Sequence, residues 1–246
     1  MENPEFAPGG SGRGTPVSAI ILTSADVDCV MGLLHLREFQ PLRIYATSGV
    51  RRVLTEENSL FRTLERSHPP VQWEPLPVNE VISILAGPAS REKTEIRCRA
   101  VPLDGDFPDY VSEGLRARLP REESLVGLEL EANGKRIFYA PSITGSSDGW
   151  KRVAAESNLS MLDGTFWTND ELVRVMGSGK TAREMGHMPL SEKEGLLQQM
   201  GNAGDGRRVL IHMNNTNPLL DEDSEANRAA REAGWEIAYD GMEFEL

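Results

Sequence analysis

Asn133-Gly134 lies between two runs of strand-forming residues, Ser124–Ala132 and Lys135–Ala140, and this pattern restricts the fold more sharply than any composition value. Asn and Gly both tolerate the positive φ that a two-residue hairpin turn demands, so the segment specifies an antiparallel pair. Elsewhere the chain reads as strands feeding helices. Val17–Thr23 (VSAIILT) is a continuous apolar run with the length of a buried strand. From Asp26 to Glu38, apolar residues recur at Val27, Val30, Met31 and Leu34, which is helical spacing. Leu42–Ala46 reads as a second strand and Val50–Arg66 as helix. Glu95–Val101 alternates through Ile96, Cys98 and Ala100, as a half-buried strand does. Trp150–Ser157 reads as a short helix, Leu159–Asp163 as a short strand, Arg208–His212 (RVLIH) as a buried strand and Ser224–Ala233 as a helix. Glu236–Tyr239 and Met242–Leu246 read as closing strands. Thr168 with Glu171, and Ser191 with Glu194, have capping-box spacing and predict two further helix starts. Hairpins mixed with strand–helix units suit an α/β sandwich, sheets packed together and covered by helices.

The length of 246 residues is enough for one large domain with a sizeable core. Residues 1–15 are rich in Gly and Pro and predict a flexible loop, leaving 16–246 as a single domain. A net charge of -12 argues against a nucleic-acid binder, which would normally show a basic patch, and favours solubility. No apolar run is long enough to span a membrane, and the start MENPEFAPGGSGRG lacks the apolar core of a signal peptide. Two cysteines, Cys29 and Cys98, do not make a disulfide framework, so the cytoplasm is the expected location.

Four segments carry residues suited to chemistry. Asp26-Val27-Asp28-Cys29 stands where a strand hands over to a helix, and strand ends face the crevice in α/β folds. Asp28 and Cys29 are metal-ligating types, and a thiol in a helix's first turn is expected to have a lowered pKa. The same residues would also serve as a helix cap and a core cysteine. His187, in Met185-Gly186-His187-Met188-Pro189, precedes a predicted helix and reads either as a site residue or as a solvent-exposed loop histidine. His212 ends a strand and precedes Met213-Asn214-Asn215-Thr216-Asn217-Pro218. It reads as a metal ligand with Asn side chains supporting it, or as a hydrogen-bonded core residue beside turn-forming asparagines. Asp163, before Gly164, places a carboxylate at a further strand end or makes an ordinary Asp-Gly turn.

Gly177-Ser178-Gly179-Lys180-Thr181 imitates the end of a phosphate-binding loop. The motif needs a glycine at the position of Arg174 and a strand immediately before it, and neither is present. His35, inside the first helix, and His68, before Pro69-Pro70, read as structural or solvent-exposed.

Taken in order, the segments resemble the pyrroloquinoline quinone (PQQ) synthesis B proteins, a branch of the metallo-β-lactamase superfamily, from about Pro8 to Leu246. The resemblance rests on Ile21-Leu22-Thr23 with Asp28, Gly32-Leu33-Leu34 and Leu36-Arg37-Glu38. It continues through Phe138-Tyr139-Ala140-Pro141, Leu162-Asp163-Gly164-Thr165-Phe166-Trp167 and Asp170-Glu171-Leu172. Met185-Gly186-His187, the string Ile211-His212-Met213-Asn214-Asn215-Thr216-Asn217-Pro218 and Asp240-Gly241-Met242 complete it. The resemblance implies a four-layer α/β/β/α sandwich, incomplete at its N-terminal sheet. Family members carry earlier strands and a small cysteine cluster holding a structural zinc, and Met1 corresponds to a point inside their chain. A chain without those strands is expected to leave an exposed sheet edge and to aggregate.

The resemblance also implies an enzyme of PQQ biosynthesis, an iron-dependent hydroxylase acting on the tyrosine ring of a Glu-Tyr-derived precursor. A carrier or transport protein for PQQ or its precursor, and a metallo-hydrolase of the same fold, are the competing readings. Iron or zinc is the implied metal, with Asp28, Cys29, His212 and Asp26 as its ligands and His187 and Asp163 as catalytic residues. The family usually has Asp-His where this chain has Asp28-Cys29, which puts softer thiolate chemistry at that ligand. The implied partners are a small-molecule or dipeptide substrate and a second copy of the chain in a homodimer, with neither nucleic acid nor membrane.

Overall fold

A computed structural model of the chain describes residues 17–36, 42–66, 71–87, 90–201 and 204–246. The expected loop at 1–15, His68, and Arg37 with Glu38 lie outside the described residues. The backbone divides into two compact units, Met1–Ala100 with Asp106–Val126, and Val101–Gly105 with Gly127–Leu246. Among the described residues no helix is long and apolar enough to cross a membrane.

In the first unit, β1 (Ile20–Ile21), β2 (Arg43–Ala46) and β3 (Gln72–Pro75) form a parallel sheet in the order β1-β2-β3. β1 is much shorter than the apolar run Val17–Thr23 predicts. Thr23 turns its carbonyl to Val126 N, and Ser24 bridges Leu125, so the chain leaves the ladder early. The predicted helix over 26–38 is α1 (Val27–Val30) followed by a 3-10 turn at Met31–Leu36. Val30 and Leu33 are buried while Val27 and Met31 face solvent. The helical reading of Val50–Arg66 resolves into α2 (Ser48–Arg52), a π turn at Val53–Glu57 and α3 (Arg62–Arg66). Thr47 caps α2 by accepting from Val50 N. β4 (Val81–Leu85) pairs antiparallel with β5 (Lys93–Pro102), and α4 spans Glu113–Arg116. The core of this unit gathers Val30, Ile44, Val50, Leu54, Phe61 and Leu64. Trp73 is the one large apolar residue in Gln72–Pro75, so apolar periodicity does not mark β3.

In the second unit, β6 (Val126–Ala132) and β7 (Lys135–Ala140) form the predicted hairpin, with Asn133 at φ 53° and Gly134 at φ 74°. α5 (Asp148–Glu156) then leads into β8 (Leu159–Asp163), parallel to β7. α6 (Glu171–Met176) and α7 (Leu196–Met200) precede β9 (Arg207–Ile211), which is parallel to β8. α8 (Glu225–Glu232), capped by Ser224, leads to β10 (Glu236–Ile237), parallel to β9. One sheet face buries Leu159, Val209 and Ile211 under Met242 and Phe244. Residues 242–246 thus cover the sheet instead of forming the expected strand. Trp150, Leu162 and Leu210 are also fully buried, and burying each such side chain contributes roughly 1.5–3 kcal/mol.

Neither capping box forms. Glu171 opens α6 but accepts from Trp167 N and Thr216 Oγ1, and Ser191 Oγ donates to the Trp167 carbonyl, five residues before α7 begins at Leu196. Both residues tie down the loop after β8. At Gly177–Thr181, Gly177 ends α6 in the left-handed region and Thr181 Oγ1 accepts from Glu184 N. The second unit's parallel strands leave their C-terminal ends side by side, with Gly164 N donating to Ile211 O at 2.7 Å. A Cβ on Gly164 would stand 2.9 Å from that carbonyl oxygen and 3.1 Å from Leu210 Cβ. Gly164→Ala is therefore expected to destabilise the fold by about 1–3 kcal/mol. Urea unfolding would show a lower midpoint with an unchanged slope, and an unchanged midpoint would contradict this packing.

Candidate metal centre

Asp163 is the last residue of β8 and is fully buried. An ionised carboxylate in such a place is costly unless hydrogen-bonded, and here donors surround it. Oδ1 accepts from Thr165 N at 3.0 Å and Thr165 Oγ1 at 2.6 Å. Oδ2 accepts from Ile143 N at 2.9 Å and lies 2.9 Å from His187 Nδ1. These contacts fill the roughly four lone-pair positions of a carboxylate. The Thr165 N contact is the local turn an Asp makes two residues ahead, as the Asp-Gly turn reading expects.

His187 reaches this carboxylate from a different loop. A 3-10 turn at Arg183–Met185 ends at Gly186, whose φ of 83° is unstrained only for glycine. His187 N then donates to Ala182 O, and Met188 N to Ile143 O. The imidazole is largely buried, edge-on to Phe166 with ring centroids 5.9 Å apart, and so is not the solvent-exposed loop histidine of the alternative reading. His212 stands one residue past β9 at φ 58°, a left-handed conformation that is uncommon for a non-glycine residue and is found where function or packing enforces it. Its ring lies 5.5 Å from that of His187, tilted by 36°. Ligating atoms of Asp163, His187 and His212 all lie within 4.8 Å of one another.

The asparagines after His212 act on the backbone. Asn217 Nδ2 donates to Gly164 O and Thr165 O, and its Oδ1 accepts from Leu219 N. Asn214 N donates to Thr165 O, while its Nδ2 donates to Thr216 Oγ1, which in turn reaches Glu171. The IHMNNTNP string is thus a latch between the loops that follow β8 and β9. Thr165 and the Ile143 amide belong to the centre and were not singled out by sequence reasoning. A Thr two residues after a strand-end Asp was the available signal for the first. Nothing local marks the second.

Asp26, Asp28 and Cys29 lie in the first unit. Asp26 is the N-cap of α1 without a side-chain cap bond, which overturns the capping reading for that residue, and Asp28 and Cys29 occupy the helix's first turn. Cys29 is exposed, so it is not a core cysteine. Its thiol pKa is pushed up to about 11, first by desolvation and then by the charge of Asp28, against a hydrogen bond with Ser24 that lowers it. The expected lowering by a helix dipole is overturned, because α1 has only four residues and two carboxylates flank the sulfur. His35 is exposed, as expected of a histidine outside the site.

A cavity of about 540 Å³ borders His212 within the second unit. Its lining includes Met213, Leu219, Arg231, Tyr239 and Asp240. Arg231 Nε donates to Asn227 Oδ1 at 2.8 Å, and Asn227 is buried and donates to Leu219 O. The guanidinium fork is thereby held on a rigid base at the cavity wall.

A beta-lactamase superfamily domain profile matches residues 2–213. Coenzyme PQQ synthesis protein B of a Methylobacterium species is 34% identical over 243 residues, covering 99% of this chain and 78% of that protein. The protein of the same name from Nitrosococcus oceani is 35% identical over 246 residues, covering 99% and 78%. The crystal structure of zinc-bound PqqB from Methylobacterium extorquens superposes with a TM-score of 0.86 at 30% identity, over 99% of this chain and 78% of that one. A diphosphatase of the PhnP family, at 15% identity and a TM-score of 0.58, shares the fold. The expected metallo-β-lactamase-like α/β fold is therefore the fold of this protein. By sequence and by structure, the chain belongs to the coenzyme PQQ synthesis protein B family of the beta-lactamase superfamily.

Proposed function

We propose that this protein is a metal-dependent oxygenase of PQQ biosynthesis that hydroxylates the tyrosine ring of a Glu-Tyr-derived precursor. The observation that carries the reading is the junction of two imidazoles on one buried carboxylate beside a cavity of about 540 Å³. Two imidazoles beside a buried carboxylate that accepts from one of them form a pair of donors that iron and zinc both accept, and they leave coordination positions for reactants. The residues present therefore fit such a metal, and a relative of the same fold is a zinc-bound protein. His187 and His212 would hold the ion, with Asp163 orienting His187 through Nδ1.

When bound, the metal supplies the site for dioxygen chemistry. Inserting one oxygen atom into a ring C–H bond sends the second oxygen to water, with two electrons and two protons drawn from an external reductant. The chain's own part is to place the substrate. Arg231 offers its guanidinium to a carboxylate of the precursor, and Tyr239 and Leu219 offer surface to the ring. Oxygen uptake by the iron-loaded protein with a Glu-Tyr peptide, matched by formation of hydroxylated peptide, tests the reading. Metal-loaded protein that consumes no oxygen while cleaving the peptide would replace it with a hydrolase.

His212→Ala and His187→Ala are each expected to reduce bound iron or zinc well below the wild-type content, as read by elemental analysis. Full metal content in both variants would remove the centre from this place. Arg231→Gln is expected to raise KM for a carboxylate-bearing peptide about tenfold or more, with metal content unchanged. An unchanged KM would move the carboxylate elsewhere. Because the Cys29 thiol titrates near 11, it is protonated at neutral pH and any ligation by it releases a proton. Alkylation of metal-free protein at Cys29 is expected to speed up about tenfold per pH unit between 7 and 10. A plateau near pH 8, followed by mass spectrometry, would contradict that thiol's environment.

A further inference from the structure

We infer that Thr165 is a positioning residue that fixes the proton of His212 on Nδ1 and so makes Nε2 its metal-binding nitrogen. The inference rests on the metal-centre reading above. Thr165 Oγ1 has three polar neighbours: Asp163 Oδ1 at 2.6 Å, the His212 carbonyl oxygen at 2.9 Å and His212 Nδ1 at 3.0 Å. A hydroxyl has one hydrogen to donate and two lone pairs with which to accept. The carboxylate is both the nearest and the strongest of the acceptors, so the hydrogen goes to Asp163. Without a hydrogen between them, two oxygens 2.6 Å apart would repel.

With its hydrogen directed at Asp163, Oγ1 presents a lone pair to the His212 ring. A second lone pair on Nδ1 would oppose it at 3.0 Å, whereas an N–H there completes a hydrogen bond. A neutral imidazole carries one N–H, so the lone pair of His212 sits on Nε2. The same carboxylate takes the Nδ1–H of His187 directly, through Oδ2 at 2.9 Å. One buried carboxylate thus sets the tautomer of both rings, one by contact and the other through the threonine hydroxyl. Metal-ligating histidines characteristically donate their second nitrogen in this way, which fixes ring orientation and raises ligand basicity. The left-handed backbone of His212 fits the same arrangement, since it brings Nδ1 of that residue to the hydroxyl.

Long-range proton–nitrogen NMR of metal-free protein carrying ¹⁵N-histidine reads the tautomers directly. The wild-type protein is expected to show the Nδ1–H form at His212. Thr165→Val, nearly isosteric, is expected to shift His212 toward the Nε2–H form while His187 keeps its wild-type signals. Zn²⁺ titration of the same variant is expected to show affinity weakened about 10–100-fold. Thr165→Ser, which keeps the hydroxyl, is expected to restore both readouts. An Nε2–H tautomer at His212 in the wild type overturns the proposal, as does a folded Thr165→Val protein with the wild-type tautomer and Zn²⁺ affinity. Should the valine variant fail to fold, the wild-type and serine spectra decide, since both must show Nδ1–H. A wild-type protein that binds no Zn²⁺ would sink the metal reading and leave the tautomer measurement standing, so the two failures are distinguishable.

Discussion

The buried carboxylate of Asp163 is the constraint on which the site and much of the second unit depend. An anion with no solvent exposure needs donors from several directions, and they come from three separate places in the chain. Thr165 supplies a hydroxyl and an amide, Ile143 an amide and His187 a ring nitrogen. Each donor fixes the loop that carries it. The turn after β8, the segment after β7 and the loop around Gly186 are therefore ordered by the same group that orders the chemistry.

The parallel strands make this convergence available. β7, β8 and β9 run side by side, so the loops leaving their ends are neighbours even though they are far apart in sequence. Gly164 lets the ends of β8 and β9 approach closely, and Asn217 then bonds the carbonyls of Gly164 and Thr165 from the far side. Backbone hydrogen bonds and a buried amide hold the strand ends, and the imidazoles need only small local adjustments. The left-handed backbone at His212 is one of these, a modest local cost that the surrounding contacts offset.

Cys29 shows how local rules yield to their surroundings. A helix's first turn favours a thiolate only if the helix is long enough to add its dipoles and no anion stands closer. Here α1 has four residues, and Asp26 and Asp28 are both near enough to raise the thiol. The same logic governs Glu171 and Ser191, whose spacing from Thr168 and Glu194 suggests caps. Stronger nearby demand, from the Trp167 backbone and Thr216, takes their side chains instead.

Sequence alone determined the elements whose signal is local. The Asn133-Gly134 hairpin, the strand Leu159–Asp163, a helix within Ser224–Ala233 and a strand within one residue of Arg208–His212 all follow from turn chemistry and apolar patterning. The family resemblance was legible too, because strings such as Ile211–Pro218 place unusual residues at strand ends. Asp163, His187 and His212 were each visible as candidates, Asp163 and His187 as catalytic residues and His212 as a ligand. Only the tertiary structure put Asp163 at its centre, added Thr165 and the Ile143 amide, and turned the asparagine run into a backbone latch. The reason is physical. A strand end or a turn is fixed by a few consecutive residues, whereas satisfying a buried charge draws donors from wherever the folded chain brings them.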